Sequence, residues 1–181
     1  VTVAGTGYDA NDNIIVVFGT NNNIKQTVAS QYGSFTTTFI VDTQAVGTTT
    51  ITASGAAAVA SNVFVIQPQV TGVLPTTGTV GTVVTIAGTG YAAGDSITVA
   101  FGTNNSIKQA VGGQYGSWTT TFTVDTQQYG TCTITVSGAA AVAANTFFIQ
   151  PQVTGVLPTH GTVGTMVAIT GTGYTSGGSI T

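Results

Sequence analysis

Val3-Ala-Gly-Thr-Gly-Tyr8 returns as Ile86-Ala-Gly-Thr-Gly-Tyr91 and a third time as Ile169-Thr-Gly-Thr-Gly-Tyr174, at a spacing of 83 residues on both occasions. Aligned without a gap, residues 1–83 and 84–166 differ at 21 positions, which leaves 62 identities among 83. Identity at that level means duplication, and a repeat is the first thing to settle because it sets the unit in which the fold must be read. The 181 residues amount to two full repeats and fifteen residues of a third.

Each copy is a series of short runs rich in Val, Ile, Thr and Phe, separated by Gly, Asn and Asp, which is the signature of β-strands and turns. In the second copy the pattern predicts strands near 69–75, 82–88, 97–103, 106–111, 116–125, 131–137 and 145–150. No stretch reads as a helix. The alanine-rich run Ala139–Ala144 has helix propensity, but it is short, follows Gly138 and leads into a β-rich segment. About seven strands in 83 residues predict an all-β fold of tandem immunoglobulin-like sandwiches, because two sheets packed face to face cover each other's apolar side. Period-two alternation then gives the core: Ile97, Val99 and Phe101 on one strand, Trp118, Thr120, Phe122 and Val124 on another, and Cys132, Ile134 and Val136 on a third.

The segments Gln67-Pro68-Gln69 and Gln150-Pro151-Gln152 are the expected domain boundaries. Proline removes a backbone donor and stiffens the joint, and no Gly/Ser linker is present, so semi-rigid end-to-end stacking is expected. This division gives residues 1–67 as a repeat lacking its first strand, 68–150 as a complete repeat, and 151–181 as the opening strands of a further one. Two explanations of the open ends stand side by side. The residues are a window on a longer chain, or the tail of one copy completes the head of the next by strand donation.

Composition excludes several classes of function. The charged residues are Asp9, Asp12, Asp42, Asp95, Asp125, Lys25 and Lys108, with no Glu and no Arg, while 42% of residues are hydrophobic. Such a chain can bury a core, unlike a disordered one. Two lysines cannot neutralise a nucleic-acid backbone or hold an anionic membrane surface, and no apolar run reaches the length of a spanning helix. A surface of Thr, Ser, Asn and Gln with little net charge tolerates self-association. The single cysteine, Cys132, allows no disulfide within the chain.

The stretch Val70-Thr-Gly-Val-Leu-Pro-Thr-Thr-Gly-Thr-Val-Gly-Thr-Val-Val-Thr-Ile-Ala-Gly-Thr-Gly-Tyr91 resembles the opening of IPT/TIG domains. In that family a Pro-x-x-Gly turn and a Gly-Thr precede a Val-Thr-Ile strand that ends in Gly-x-Gly-aromatic. The resemblance covers the first quarter of each repeat. It implies tandem modules of prokaryotic surface proteins, stalks or adhesin shafts, located outside the cell or on its surface.

Residues that carry chemistry are few. Asp9, Asn11, Asp12 and Asn13 form the densest oxygen cluster and look like a cadherin-linker calcium sequence, but the second copy keeps only Asp95, and Asp and Asn are ordinary turn formers. Asn104-Asn-Ser106 fits the N-glycosylation pattern, which the first copy, with Asn21-Asn-Asn23, lacks. His160 stands where the previous repeat has Thr77, among hydroxyls that give it no acid/base partner. Cys132 stands where the first repeat has Thr49, on an inward position. The repeated tyrosines Tyr8, Tyr91 and Tyr174 suit packing better than sugar stacking. On the predicted outer face Ile15, Val17 and Ile40 replace Thr98, Ala100 and Thr123, so the first copy is expected to contact a neighbouring chain there. No catalytic constellation, cofactor site or metal cluster recurs, so the chain is read as a non-enzymatic extracellular rod, stalk or filament whose partners are other copies of itself, head to tail and laterally. The alternative reading is a carbohydrate-binding or spacer module of a secreted adhesin or hydrolase.

Overall fold

A computed structural model describes residues 1–139 and 141–179; Ala140, inside the alanine-rich run, and Ile180 and Thr181 lie outside the described residues. Among the described residues every regular element is a strand. The middle unit holds eight: β7 (Gln69–Leu74), β8 (Thr77–Gly78), β9 (Val83–Thr89), β10 (Ser96–Phe101), β11 (Asn104–Val111), β12 (Trp118–Thr123), β13 (Gly130–Ser137) and β14 (Val142–Ile149). They form a five-stranded sheet in the order β11-β10-β13-β14-β8 and a three-stranded sheet in the order β12-β9-β7. This is the all-β sandwich that the alternation predicts.

The core follows the pleat. Ile97, Val99 and Phe101 are fully buried, as are Ile134 and Val136, with Trp118, Phe122, Val124 and Cys132 beside them in one continuous cluster. Most strand boundaries differ by one to three residues from the sequence reading, and β8 is not among the expected strands. The strand expected at 97–103 stops at Phe101 because Gly102, at φ +55°, turns the chain at once into β11. The strand expected from 116 starts at Trp118, since Gly116, at φ +74°, belongs to the preceding turn. The last strand begins at Val142 rather than 145, so residues 142–144 of the alanine-rich run lie in sheet.

Strand β7 departs from simple alternation. Its register against β9 shifts between Val70 and Gly72, and this bulge lets Val70 and Val73, three residues apart, both face inward. Nearby β8 pairs in parallel with the end of β14, Thr77 opposite Phe148 and Gly78 opposite Ile149. The opening of the unit is thus shared between the two sheets, β7 joining one and β8 the other.

The first unit repeats this plan with β1 (Thr2–Gly5) paired to β4 (Phe35–Thr38), and with β2 (Asn13–Phe18), β3 (Asn21–Val28), β5 (Gly47–Ser54) and β6 (Val59–Ile66) in a sheet ordered β3-β2-β5-β6. After the second unit come β15 (Gln152–Leu157) and β16 (Ala168–Thr172), paired antiparallel with the same bulge, here between Val153 and Gly155.

The joint between the first two units is short and braced. Only Gln67 and Pro68 separate β6 from β7. Gly90, at φ +75°, brings the end of β9 so close to the Gln67 carbonyl that a Cβ would lie 2.3 Å from it, which is the close backbone approach for which glycine is suited. From the other side Val46 donates its N–H to the Tyr91 carbonyl (3.3 Å) and packs against the core of the second unit. The Gly-x-Gly-Tyr motif therefore shapes the joint as well as the strand end.

Candidate functional site

Among the described residues the two units differ in which strands flank their shared elements. In the second unit β9 lies between β12 and β7, whereas β1, its counterpart, has β4 on one side and no strand on the other among the described residues. The position that β8 takes beside Phe148 and Ile149 is likewise open beside Val65 and Ile66. Two adjoining clefts mark this edge. One, of about 130 Å³, is lined by Val3, Gly5, Tyr8, Phe35, Ile51 and Ala53 among others, and one of about 230 Å³ runs on along Val1, Val3, Ile51 and Phe64.

Burial shows the consequence. The second unit has one continuous core, but the first splits into a cluster around Tyr8, Ile14 and Phe35 and another around Phe18, Phe39, Ile51 and Ile66, with Val3 touching both. Phe147 is 1% exposed, while its counterpart Phe64 is only half-buried.

Ile15 and Val17 sit on the outer face of the β2 sheet, Ile15 being 37% exposed and Val17 half-buried. Ile40 continues the outward register of β4 on the opposite sheet and is 89% exposed. These three residues do not form one patch. Ile15 instead shares its face with Val59, across Ser54, and with Val63 and Val65 further along β6. All three valines are exposed. The alternation of Val63-Phe64-Val65-Ile66 contained this signal, since its even members face the core.

The oxygen cluster of the first loop is built into the loop itself. The Asp12 carboxylate accepts the N–H of Ala56 (2.8 Å), the Asp12 N–H donates to the Asp9 carbonyl (3.2 Å), and Asn11 has a positive φ of 60°. Asp95 accepts the N–H of Ala139 (2.9 Å) in the same way, so the aspartate shared by both copies braces a turn. Asn13 opens β2. Among the described residues no three His, Cys, Asp or Glu side chains come together as a metal site would require.

Asn104 begins β11, and its amide Nδ2 donates to Asp125 (2.8 Å), which also accepts from Gln127 Nε2 (2.9 Å). Asn21, Asp42 and Gln44 reproduce this network in the first unit at the same distances. The shared network gives Asn104 a structural role at the hairpin. His160 is exposed and meets only the Thr159 hydroxyl, at 3.5 Å. Cys132 is buried, and burial, with the Asp125 charge adding, pushes its thiol pKa up, away from the reactive thiolate.

Tyr91 is fully buried, donates to the Val136 carbonyl (3.2 Å) and meets Trp118 edge to face at 5.8 Å; Tyr8 donates to the Ala53 carbonyl (2.9 Å). Tyr32 and Tyr115, by contrast, are exposed on turns. Burial, with Asp95 adding, pushes the Tyr91 pKa up to about 12. An unfolded tyrosine ionises near about 10, so the folded state favours the neutral phenol. The stability this contributes is complete below about pH 10 and is lost as pH rises through about 12. Thermal unfolding followed across that window should show a falling midpoint, and Tyr91→Phe should flatten the fall.

The fold and the repeated packing define a tandem array of immunoglobulin-like β-sandwiches. Residues 68–149 match the IPT/TIG domain family, and this unit is an IPT/TIG domain. The first repeat, with 62 of 83 positions identical, is a further copy of the same sequence unit. Curated proteins give no match. Among solved structures the chain is similar to a biofilm-associated protein BSP domain (16% identity, 82% of this chain and 27% of that one, TM-score 0.29). It is also similar to a tetra-tandem repeat in the extending region of a large adhesion protein (18%, 86% and 48%, TM-score 0.37), and to SGBP-B from a xyloglucan utilization locus of Bacteroides uniformis (18%, 81% and 44%, TM-score 0.33). The chain thus spans between about a quarter and a half of these solved chains.

Proposed function

We propose that this chain is a structural, non-catalytic module of an extracellular rod, stalk or filament, built by stacking immunoglobulin-like units end to end. The observation that carries the reading is the joint: a two-residue connection, Gly90 packed on Gln67, and Val46 bonded to Tyr91 leave little length for a hinge. Ser, Thr and aliphatic residues, rather than charges, cover the outer face of β2, β5 and β6, so lateral contact with other copies costs little desolvation. An extracellular location belongs to the same proposal, through the resemblance of tandem IPT/TIG modules to surface-protein shafts. The buried Cys132 and the exposed ring of His160, which has no acid/base partner beside it, favour a non-catalytic role. Electron micrographs of the purified native material test the reading: uniform elongated particles support it, and compact separate ones overturn it.

A further inference from the structure

We propose that Lys25 and Lys108 guard the free flank of each sandwich, keeping its edge strand from pairing with the same strand of a second copy of this chain. The inference goes beyond the rod reading: stacking concerns the ends of the units, and this edge runs along their side.

In the middle unit β11 is the outermost strand of the five-stranded sheet, and β12 is an outermost strand of the other. Both lie inside residues 68–149, the span of the IPT/TIG domain. β3 holds the place of β11 in the first unit. β11 runs for eight residues, Asn104–Val111, where a strand of about five or six is usual. It ends on Val111, which is 69% exposed. A long edge with free N–H and C=O groups is a template for a further strand. The chain itself offers a matching one at every repeat, since β3 and β11 agree at six of their eight positions.

Lys25 and Lys108 are the only lysines of a chain without arginine, and both stand at the same register position of this edge. Lys108 pairs opposite Val99 and Lys25 opposite Val16, each beside a bulge, between Val99 and Phe101 in one unit and between Val16 and Phe18 in the other. Directly opposed residues of an antiparallel pair project from the same face of the sheet, and both valines are fully buried. The lysines therefore leave the strand on the core side. Both nonetheless stay exposed, because among the described residues no strand lies beyond them. Bulges and inward-directed charges are among the means by which a free edge is kept from pairing. A second copy that continued the sheets at this flank would close the space between them over the two ammonium groups. All five aspartates lie outside the strands, so strands paired here bring no carboxylate to the lysines. An ammonium buried without a partner is costly, and the pairing is disfavoured accordingly.

The test compares sedimentation of the full 181-residue chain over a range of concentrations with that of K25Q/K108Q and of K25R/K108R, followed by hydrogen exchange on the associated material. The glutamine pair keeps side chains polar and of similar length while moving the formal net charge from −3 further from zero. General repulsion between copies therefore rises, yet self-association should strengthen by on the order of a hundredfold as the buried-charge cost is removed. The amides of residues 21–28 and 104–111 should gain protection with it. The arginine pair keeps the charge and should associate as the parent does. In dilute solution all three should share one Trp118 unfolding midpoint, since both lysines are exposed. A glutamine pair that associates no more than the parent, an arginine pair that associates as the glutamine pair does, or protection gained only outside β3 and β11 overturns the proposal. None of these results touches the rod reading, whose stacking runs through the joint at Gln67 and Pro68.

Discussion

Phe101→Ala should destabilise the complete unit by about 3–5 kcal/mol, the cost of emptying a fully buried aromatic position. Phe101 has no exposed surface, and its ring meets Phe122 at 5.3 Å and Phe147 at 5.9 Å. Those partners come from the opposite sheet and from another strand of its own, so neither can move into the cavity without disturbing its own ladder. The chain has a single tryptophan, Trp118, inside this unit, and its fluorescence reports the unfolding of this unit. Denaturant titration should move the Trp118 midpoint sharply down for Phe101→Ala. The counterpart Phe18→Ala should leave that midpoint in place and cost the first unit less, because Phe18 packs on a half-exposed Phe64 in a divided core.

Gly116→Ala should rank next, at about 2–5 kcal/mol, from left-handed strain of about 1–2 together with overpacking of about 1–3. Gly116 has φ +74°, and a Cβ there would lie 1.9 Å from the Tyr91 carbonyl oxygen. The Tyr91 N–H also donates to the Gly116 carbonyl (3.1 Å), so relieving the clash pushes the backbone of the buried tyrosine out of place. Gly94→Ala is the control. Its φ is +71°, but a Cβ there meets nothing within 4 Å, so it should show the strain alone. Equal losses at the two positions would mean that contact with Tyr91 contributes nothing.

Much of this architecture is legible in the sequence because it is local. Alternation in Ile97–Phe101 and in Cys132–Val136 names the inward residues whatever strand pairs with whatever other. The equal place of Tyr91 in every repeat suits packing and its ring is buried, but Tyr32 and Tyr115 recur as regularly and are exposed, so repetition alone does not name the face. Pairing across the fold is not legible. The parallel contact of Thr77 and Gly78 with the end of β14 joins residues about seventy apart, and two residues carry no periodicity. The bulge at Val70–Gly72 breaks strict alternation, and a period-two reading places Val70 and Val73 on opposite faces. Ile40 groups with Ile15 and Val17 in the sequence because all three replace polar residues, yet they belong to opposite sheets. Composition records the exchange and not the face.

The candidate site is legible in outline. The division of the buried residues of the first unit into two clusters is a property of packing that no periodicity carries. Similarly, the Asn104–Asp125–Gln127 network gives a structural role to a residue whose sequence context suggests a modification site.

Stacking of these units end to end through stiff joints is open to direct inspection by electron microscopy of the purified native material. Unbranched particles of uniform width with a regular axial period, one domain for each 83 residues, are the expected result. Compact, separate particles, or beads joined at variable angles, would show that the joints do not hold the units in line.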